Sequence, residues 1–154
     1  MSFIDQILDD CAGCKYFSFM DGFSGYNQIA IKKDDQHKTA LIYPWGTFAY
    51  RKLPFSLKNA GATFQRAMDY PFHDIRHILQ AYLDGLPTHS KKRRDHLAHL
   101  REIFARCRFY YIRLNPHKCV FMVEFGRLLG FIVSKHGIRV DPNKVEAIVE
   151  FLAP

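Results

Sequence analysis

Two aspartates stand where apolar runs stop: Asp21 closes Tyr16–Met20, and Asp84 closes Ala81–Leu83. Carboxylates side by side at the ends of neighbouring strands make a hard-oxygen site of the kind that holds Mg2+. Two such ions can activate an attacking hydroxyl and stabilise a departing pyrophosphate. Spacing alone leaves a plainer reading open, because Asp at a strand end also serves turns. Sulfur and imidazole offer less. Cys11 and Cys14 have the CxxC spacing of zinc and redox sites, but no second pair follows. Cys11 also continues the apolar stripe Ile4, Ile7, Leu8, so buried thiols at a helix end are expected. The pairs His73/His77 and His96/His99 could each share one side of a helix, without a third ligand near in sequence.

Charge is the next signal. The 154 residues carry a formal net charge of +7. Residues 1–86 hold 9 basic and 9 acidic side chains, and residues 121–154 hold 4 of each. The excess therefore lies in residues 87–120, with 9 basic against 2 acidic, including the run Lys91-Lys92-Arg93-Arg94. Such clustering suits a polyanion, although a charge run is also the ordinary dress of a solvated helix face. Phe109, Tyr110 and Tyr111 between Arg108 and Arg113 mix groups for phosphate contact with groups for base stacking. The alternative is that these aromatics are core.

The elements that must position these groups follow from periodicity. At 48% hydrophobic and 15% aromatic the chain can bury a core, which excludes wholesale disorder. A helix is expected over 3–11, a strand over Lys15–Met20, and a hairpin from Thr39–Tyr43 and Thr47–Leu53 around Pro44-Trp45-Gly46. Leu57–Met68 reads as a helix, with Leu57, Phe64, Ala67 and Met68 inward, ending before Pro71. Ile78–Leu83 reads as a buried strand. In the helix Asp95–Phe109, Leu97, Leu100, Ile103, Phe104 and Cys107 form the apolar face. Cys119–Val123 and Leu128–Ser134 read as a strand pair with turns at Gly126 and Gly137, and Asp141-Pro142 opens a last helix, Asn143–Phe151. This is an α+β order with hairpins rather than a doubly wound parallel sheet. No run reaches the ~18 apolar residues of a membrane span, and the N-terminus lacks signal-peptide character. A soluble intracellular protein without a membrane partner is expected, nucleus and cytoplasm being indistinguishable.

Five motifs occur in order: Phe17-Ser-Phe-Met-Asp-Gly-Phe-Ser-Gly-Tyr-Asn-Gln-Ile29, Leu53-Pro-Phe-Ser-Leu-Lys-Asn-Ala-Gly-Ala-Thr-Phe-Gln65, Tyr82-Leu-Asp84, Leu114-Asn-Pro-His-Lys-Cys119 and Leu129-Gly-Phe-Ile-Val-Ser134. Together they closely resemble the reverse transcriptase of gypsy-type long-terminal-repeat retrotransposons, most like plant ones, from about residue 3 to the C-terminus. The resemblance implies a polymerase palm: a ferredoxin-like antiparallel sheet with helices packed on one face and a partial fingers hairpin, all in one domain over 1–154. It implies that Asp21 and Asp84 are the catalytic ligands of Mg2+ or Mn2+, and that Tyr26 excludes a ribose 2′-hydroxyl. Phe55 and Gln65 would shape the nucleotide pocket, and Lys118 would stand beside the active site. Gly130, Phe131 and Lys135 fall on the hairpin that grips the primer, and Lys91, Lys92, Arg93 and Arg94 are further candidates for nucleic-acid contact. An RNA–DNA hybrid or RNA is the implied partner.

Three departures bear on activity. Gly85 stands where the family has a second Asp beside the one matching Asp84. Ser56 replaces the glycine of the Pro-Phe-Gly motif, and Leu86-Pro87 falls in the second strand of the catalytic hairpin, which proline should distort. The family's fingertip cations lie well before the first catalytic Asp, and only 20 residues precede Asp21. The upstream fingers are thus expected to be absent, as are the thumb and RNase H domain that in the family would follow residue 154. The sequence reading is a retrotransposon-derived polymerase fragment that is catalytically inactive. The alternative is a non-catalytic nucleic-acid-binding or structural subunit, joining an assembly through surface that the missing subdomains would have covered.

Overall fold

The structure, a computed structural model, describes residues 4–146. Helix α1 (Ile4–Cys11) leads into strand β1 (Tyr16–Asp21), and the short helix α2 (Lys33–Gln36) precedes the hairpin β2 (Leu41–Tyr43) and β3 (Gly46–Phe48). Helix α3 (Ala60–Phe72), strand β4 (Gly85–Ser90) and helix α4 (Arg93–Phe109) follow, then β5 (Val120–Val123) and the meander β6 (Phe125–Leu128), β7 (Phe131–Ser134) and β8 (Gly137–Val140). β1 is the centre of an antiparallel sheet of order β4-β1-β5.

The alternation in Phe17-Ser-Phe-Met sorts the two faces of that sheet. Met20 packs with Leu86 against Phe64, Met68, Leu100 and Ile103 of α3 and α4. Phe17 points the other way, into a second cluster formed with Ile7, Leu8 and Cys11 of α1 and Leu128 and Val133 of the β6–β7 hairpin. Each buried aromatic or aliphatic side chain of this kind contributes roughly 1.5–3 kcal/mol. The palm-like fold is as expected, with α3 and α4 on one face; α1 shares the opposite face with the meander. Cys11 and Cys14 are buried free thiols, and burial pushes the Cys11 thiol up to about 12. The β2–β3 hairpin also matches its expectation, and every residue of both strands is exposed. No helix among the described residues is long and apolar enough to cross a membrane.

Several local expectations are corrected. α3 runs through Pro71, whose ring is buried near the helix end and whose carbonyl accepts from Arg106 Nη1 at 2.9 Å. Ile78–Leu83 is buried in part but is not a strand; it makes only the bridges Leu79↔Thr88 and Tyr82↔Gly85. Side chains claim its backbone, since Gln65 Nε2 donates to Ala81 O at 2.8 Å and Leu83 N–H donates to Gln65 Oε1 at 2.7 Å. Pro87 sits inside an unbroken β4. His89 N–H donates away from β1, to Ile78 O. Pro87, two residues earlier, has the same orientation, so its missing donor costs the β1 ladder nothing.

On α4 the buried face is His96, Leu100, Ile103 and Cys107, whereas Leu97 is 48% exposed. Gly126 lies within β6 rather than in a turn. A Cβ there would meet the Phe19 ring at 2.1 Å, and the turn is made instead by Leu129 and Gly130, both at positive φ. Residues 142–146 are helical; the rest of the last expected helix lies outside the described residues.

Candidate active site

The β1–β4 register sets Asp21 directly opposite Gly85. Asp84 occupies the two-residue turn before it, closed by Tyr82 N–H to Gly85 O at 2.9 Å and Gly85 N–H to Tyr82 O at 3.0 Å. Gly22 N–H donates to Asp84 O at 2.8 Å, which ties the backbones that carry the two carboxylates. Leu83, in that turn, adopts φ 52, a conformation costly for a branched side chain. Gln65 holds it there from α3, and Asp69 accepts from the same amide at 2.9 Å. Gln65 thus spends its polar atoms on the turn that presents Asp84.

Asn115 N–H donates to Asp21 O at 2.8 Å, bringing the Pro116–Lys118 turn alongside. Lys118 Nζ lies 3.5 Å from Asp21 Oδ2, while Asp21 Oδ1 is buried with no hydrogen-bond partner. A buried carboxylate oxygen without a donor is costly, and a cation or a substrate contact would relieve it. Asp21 and Asp84 are the hard oxygen donors at this end of the sheet that a divalent ion would take, with its remaining ligands supplied by water or substrate. Among the described residues no group of three or more His, Cys, Asp or Glu side chains could hold a metal.

Gly85 could take a side chain if Tyr82 O gave way by a few tenths of an ångström. Its backbone is outside the left-handed region, and a Cβ would meet only Tyr82 O at 3.3 Å. Because directly opposed residues in an antiparallel pair project to the same face, a carboxylate at 85 would stand beside Asp21. Gly25 is different: a Cβ there would meet Phe64 Cζ at 2.7 Å, so only glycine lets this loop close on α3.

That approach seats Tyr26, whose ring stacks on Phe64 at 4.6 Å and meets the edge of Phe55 at 5.1 Å. Phe55 is 81% exposed, which leaves an aromatic wall open to solvent, and Ser56 is exposed beside it. Phe64 was not singled out from sequence as a site residue, although it adjoins Gln65 within the same motif.

The other candidates lie apart. Lys135 pairs with Glu124 at 2.8 Å, and this contact raises the lysine and lowers the carboxyl from their ordinary values. Gly130 forms the β6–β7 turn at φ 87, and Phe131 packs on the second core cluster. Lys91, Lys92, Arg93 and Arg94 are all exposed at the start of α4. Cations there oppose the helix dipole, so helix stability does not explain them.

Residues 2–152 match the profile of the reverse transcriptase (RNA-dependent DNA polymerase) family. The chain is 36% identical over its whole length to the retrovirus-related Pol polyprotein from transposon gypsy of Drosophila melanogaster, and covers 15% of it. It is 34% identical over 98% of its length to that from transposon 297 of the same organism, covering 14%. The chain thus spans about one seventh of the curated relatives it matches. Among solved structures, a foamy viral protease-reverse transcriptase in complex with double-stranded DNA aligns over all of this chain and 27% of its own, with TM-score 0.88 and 21% identity. The foamy viral enzyme in complex with an RNA/DNA hybrid aligns over 91% of this chain and 19% of its own, with TM-score 0.77 and 21% identity.

Proposed function

Because the chain belongs to the reverse transcriptase family, we propose that it is a polymerase palm that receives a primer–template and an incoming nucleotide but is one carboxylate short of turnover. The observation that carries this reading is Gly85 opposite Asp21, a position where a carboxylate would share Asp21's face. Asp21 and Asp84 would hold a divalent ion, Mg2+ or Mn2+. Such an ion lowers the barrier by stabilising charge on attacking and leaving oxygens. Tyr26, fixed between Phe64 and Phe55, would lie against the sugar of a deoxynucleotide. Lys118, already beside Asp21, would supply positive charge near the phosphates. Gly130 and Phe131 would contribute through the shape of their hairpin, and Lys135 would reach a phosphate by leaving Glu124.

Primer extension on an RNA template with Mg2+ or Mn2+ tests the proposal. The chain is expected to incorporate no more than its Asp21→Asn variant does. Incorporation by the unaltered chain that Asp21→Asn abolishes would overturn the silent-palm reading. Mn2+ titration followed by electron paramagnetic resonance gives a readout independent of turnover. Weak binding should strengthen about tenfold in Gly85→Asp and disappear in Asp21→Asn.

A further inference from the structure

The aromatic run at the end of α4 belongs neither to the core nor to the carboxylate site. The helix closes in a Schellman turn, with Ile112 N–H donating to Cys107 O at 2.8 Å and Tyr111 N–H to Arg108 O at 3.3 Å. Tyr111 takes the left-handed position, φ 58, where glycine is preferred. Its ring is nevertheless 88% exposed, so no burial offsets the strain. Phe109 and Tyr70 are exposed nearby, and Tyr110 meets both rings edge-on.

Two concavities meet at the Tyr111 ring. The larger, about 490 Å³, is lined by Lys52, Arg108, Arg113, Asn27 and Gln28 with no acidic side chain. The smaller, about 180 Å³, is apolar, with Phe64, Met68, Tyr70, Pro71 and Tyr110 in its wall. Arg108 and Arg113 are exposed, and among the described residues neither guanidinium makes an ion pair or a side-chain hydrogen bond. Arg106 shows the contrast: Asp74 and Glu102 both bind it, and Asp74 is held down at about 2 by that contact. The apolar slot backs onto Gly22, Gly25 and Phe64 behind the carboxylate turn, but none of Asp21, Asp84, Tyr26, Phe55, Gln65 or Lys118 lines either concavity.

We propose that the C-terminal turn of α4 is a nucleotide-binding site separate from the carboxylate cleft. Arg108, Arg113 and Lys52 take the phosphate, since paired guanidinium forks match its oxygens. Tyr111 takes the base on its face, with the apolar slot beside it. The nucleotide is presented free or as one unit of a single strand, and the site does not depend on polymerase turnover.

Fluorescence anisotropy of the full chain with a labelled short oligothymidylate, and competition by unlabelled TTP, tests this. Arg108→Glu with Arg113→Glu should weaken binding at least ~10-fold and lower the salt slope by about 2. Tyr111→Gly should raise Tm, because it relieves the left-handed strain, while weakening binding about fivefold. Displacement of the strand by TTP assigns the site to free nucleotide, and strand binding that resists TTP assigns it to a strand; both support the proposal. It is overturned if neither probe binds, or if the charge-reversed chain, with Tm unchanged, binds as tightly as the parent. Unchanged affinity in Tyr111→Gly overturns it as well, and so does binding that Lys118→Ala alone abolishes.

Discussion

The ladder between β1 and β4 carries polar side chains toward both ends, and the fold treats them oppositely. Toward Ser90, the imidazole of His96 is fully buried between two hydroxyls, 2.7 Å from Ser18 Oγ and 2.8 Å from Ser90 Oγ. One assignment satisfies the seam. Ser90 O–H donates to His89 O and its oxygen accepts from Nδ1–H of His96 and of His99; Ser18 O–H donates to His96 Nε2 and accepts from Met122 N–H. The seam joins α4 to all three strands of the sheet. Thr88 Oγ1 and His89 Nε2, close by, remain without partners.

Toward Asp21 no such network forms: one carboxylate oxygen is without a partner, the other meets an exposed lysine, and the residue opposite has no side chain at all. Polar groups that bond one another are building material. The carboxylate end makes few side-chain bonds to the rest of the fold, so it can be altered without unmaking the sheet.

Removing the imidazole is the hardest test of that contrast. His96→Ala should cost ~3–5 kcal/mol in urea denaturation, from two stranded hydroxyls plus a cavity; a loss under ~1 kcal/mol would end the comparison. Acid gives the next effect. Burial foremost, with His99 and His89 adding repulsion, lowers His96 to about 4, below the ~6.5 of an unfolded histidine. The unfolded chain therefore takes up the proton first. Stability is complete above pH ~6.5 and falls as pH drops toward 4, by on the order of 3 kcal/mol, which thermal melts across that window would register.

At the other end, Gln65→Leu removes the clamp on the Asp84 turn. A loss of ~2 kcal/mol is expected, together with weaker Mn2+ binding, which separates a positioning role from a purely structural one. Tyr111→Gly, which touches neither end, should stabilise by ~1 kcal/mol in the same denaturation assay. Lys118→Ala should change stability by no more than ~0.5 kcal/mol, because its ion pair is largely exposed.

Much of the fold around the candidate site was legible in particular residues. The apolar run Tyr16–Met20 ending in Asp21 announced a strand with a carboxylate at its end, and the fold has both; that its two faces serve two different clusters came from the packing. Where local pattern misled, a distant side chain had intervened. Ile78–Leu83 has the composition of a strand, but its first residues bond back to Ile75 and Gln65 takes Ala81 O and Leu83 N–H. Leu97 fits the apolar face of α4, but serines on β1 and β4 draw His96 inward, and Leu97 turns to solvent. His96 and His99, which spacing offers as a ligand pair, meet at a serine hydroxyl instead.

The sequence by itself determined the family, the two strand-end aspartates and the glycine that follows the second of them. These are matters of residue identity and short-range order. Only the tertiary structure decided that Gly85 faces Asp21, that Gln65 braces the turn, and that Arg106 is neutralised while Arg108 and Arg113 stay open. The physical reason is range. Periodicity is imposed by helix and strand geometry over a few residues. A hydrogen bond or ion pair between distant segments depends on how the layers pack, and it leaves no repeating trace in either segment.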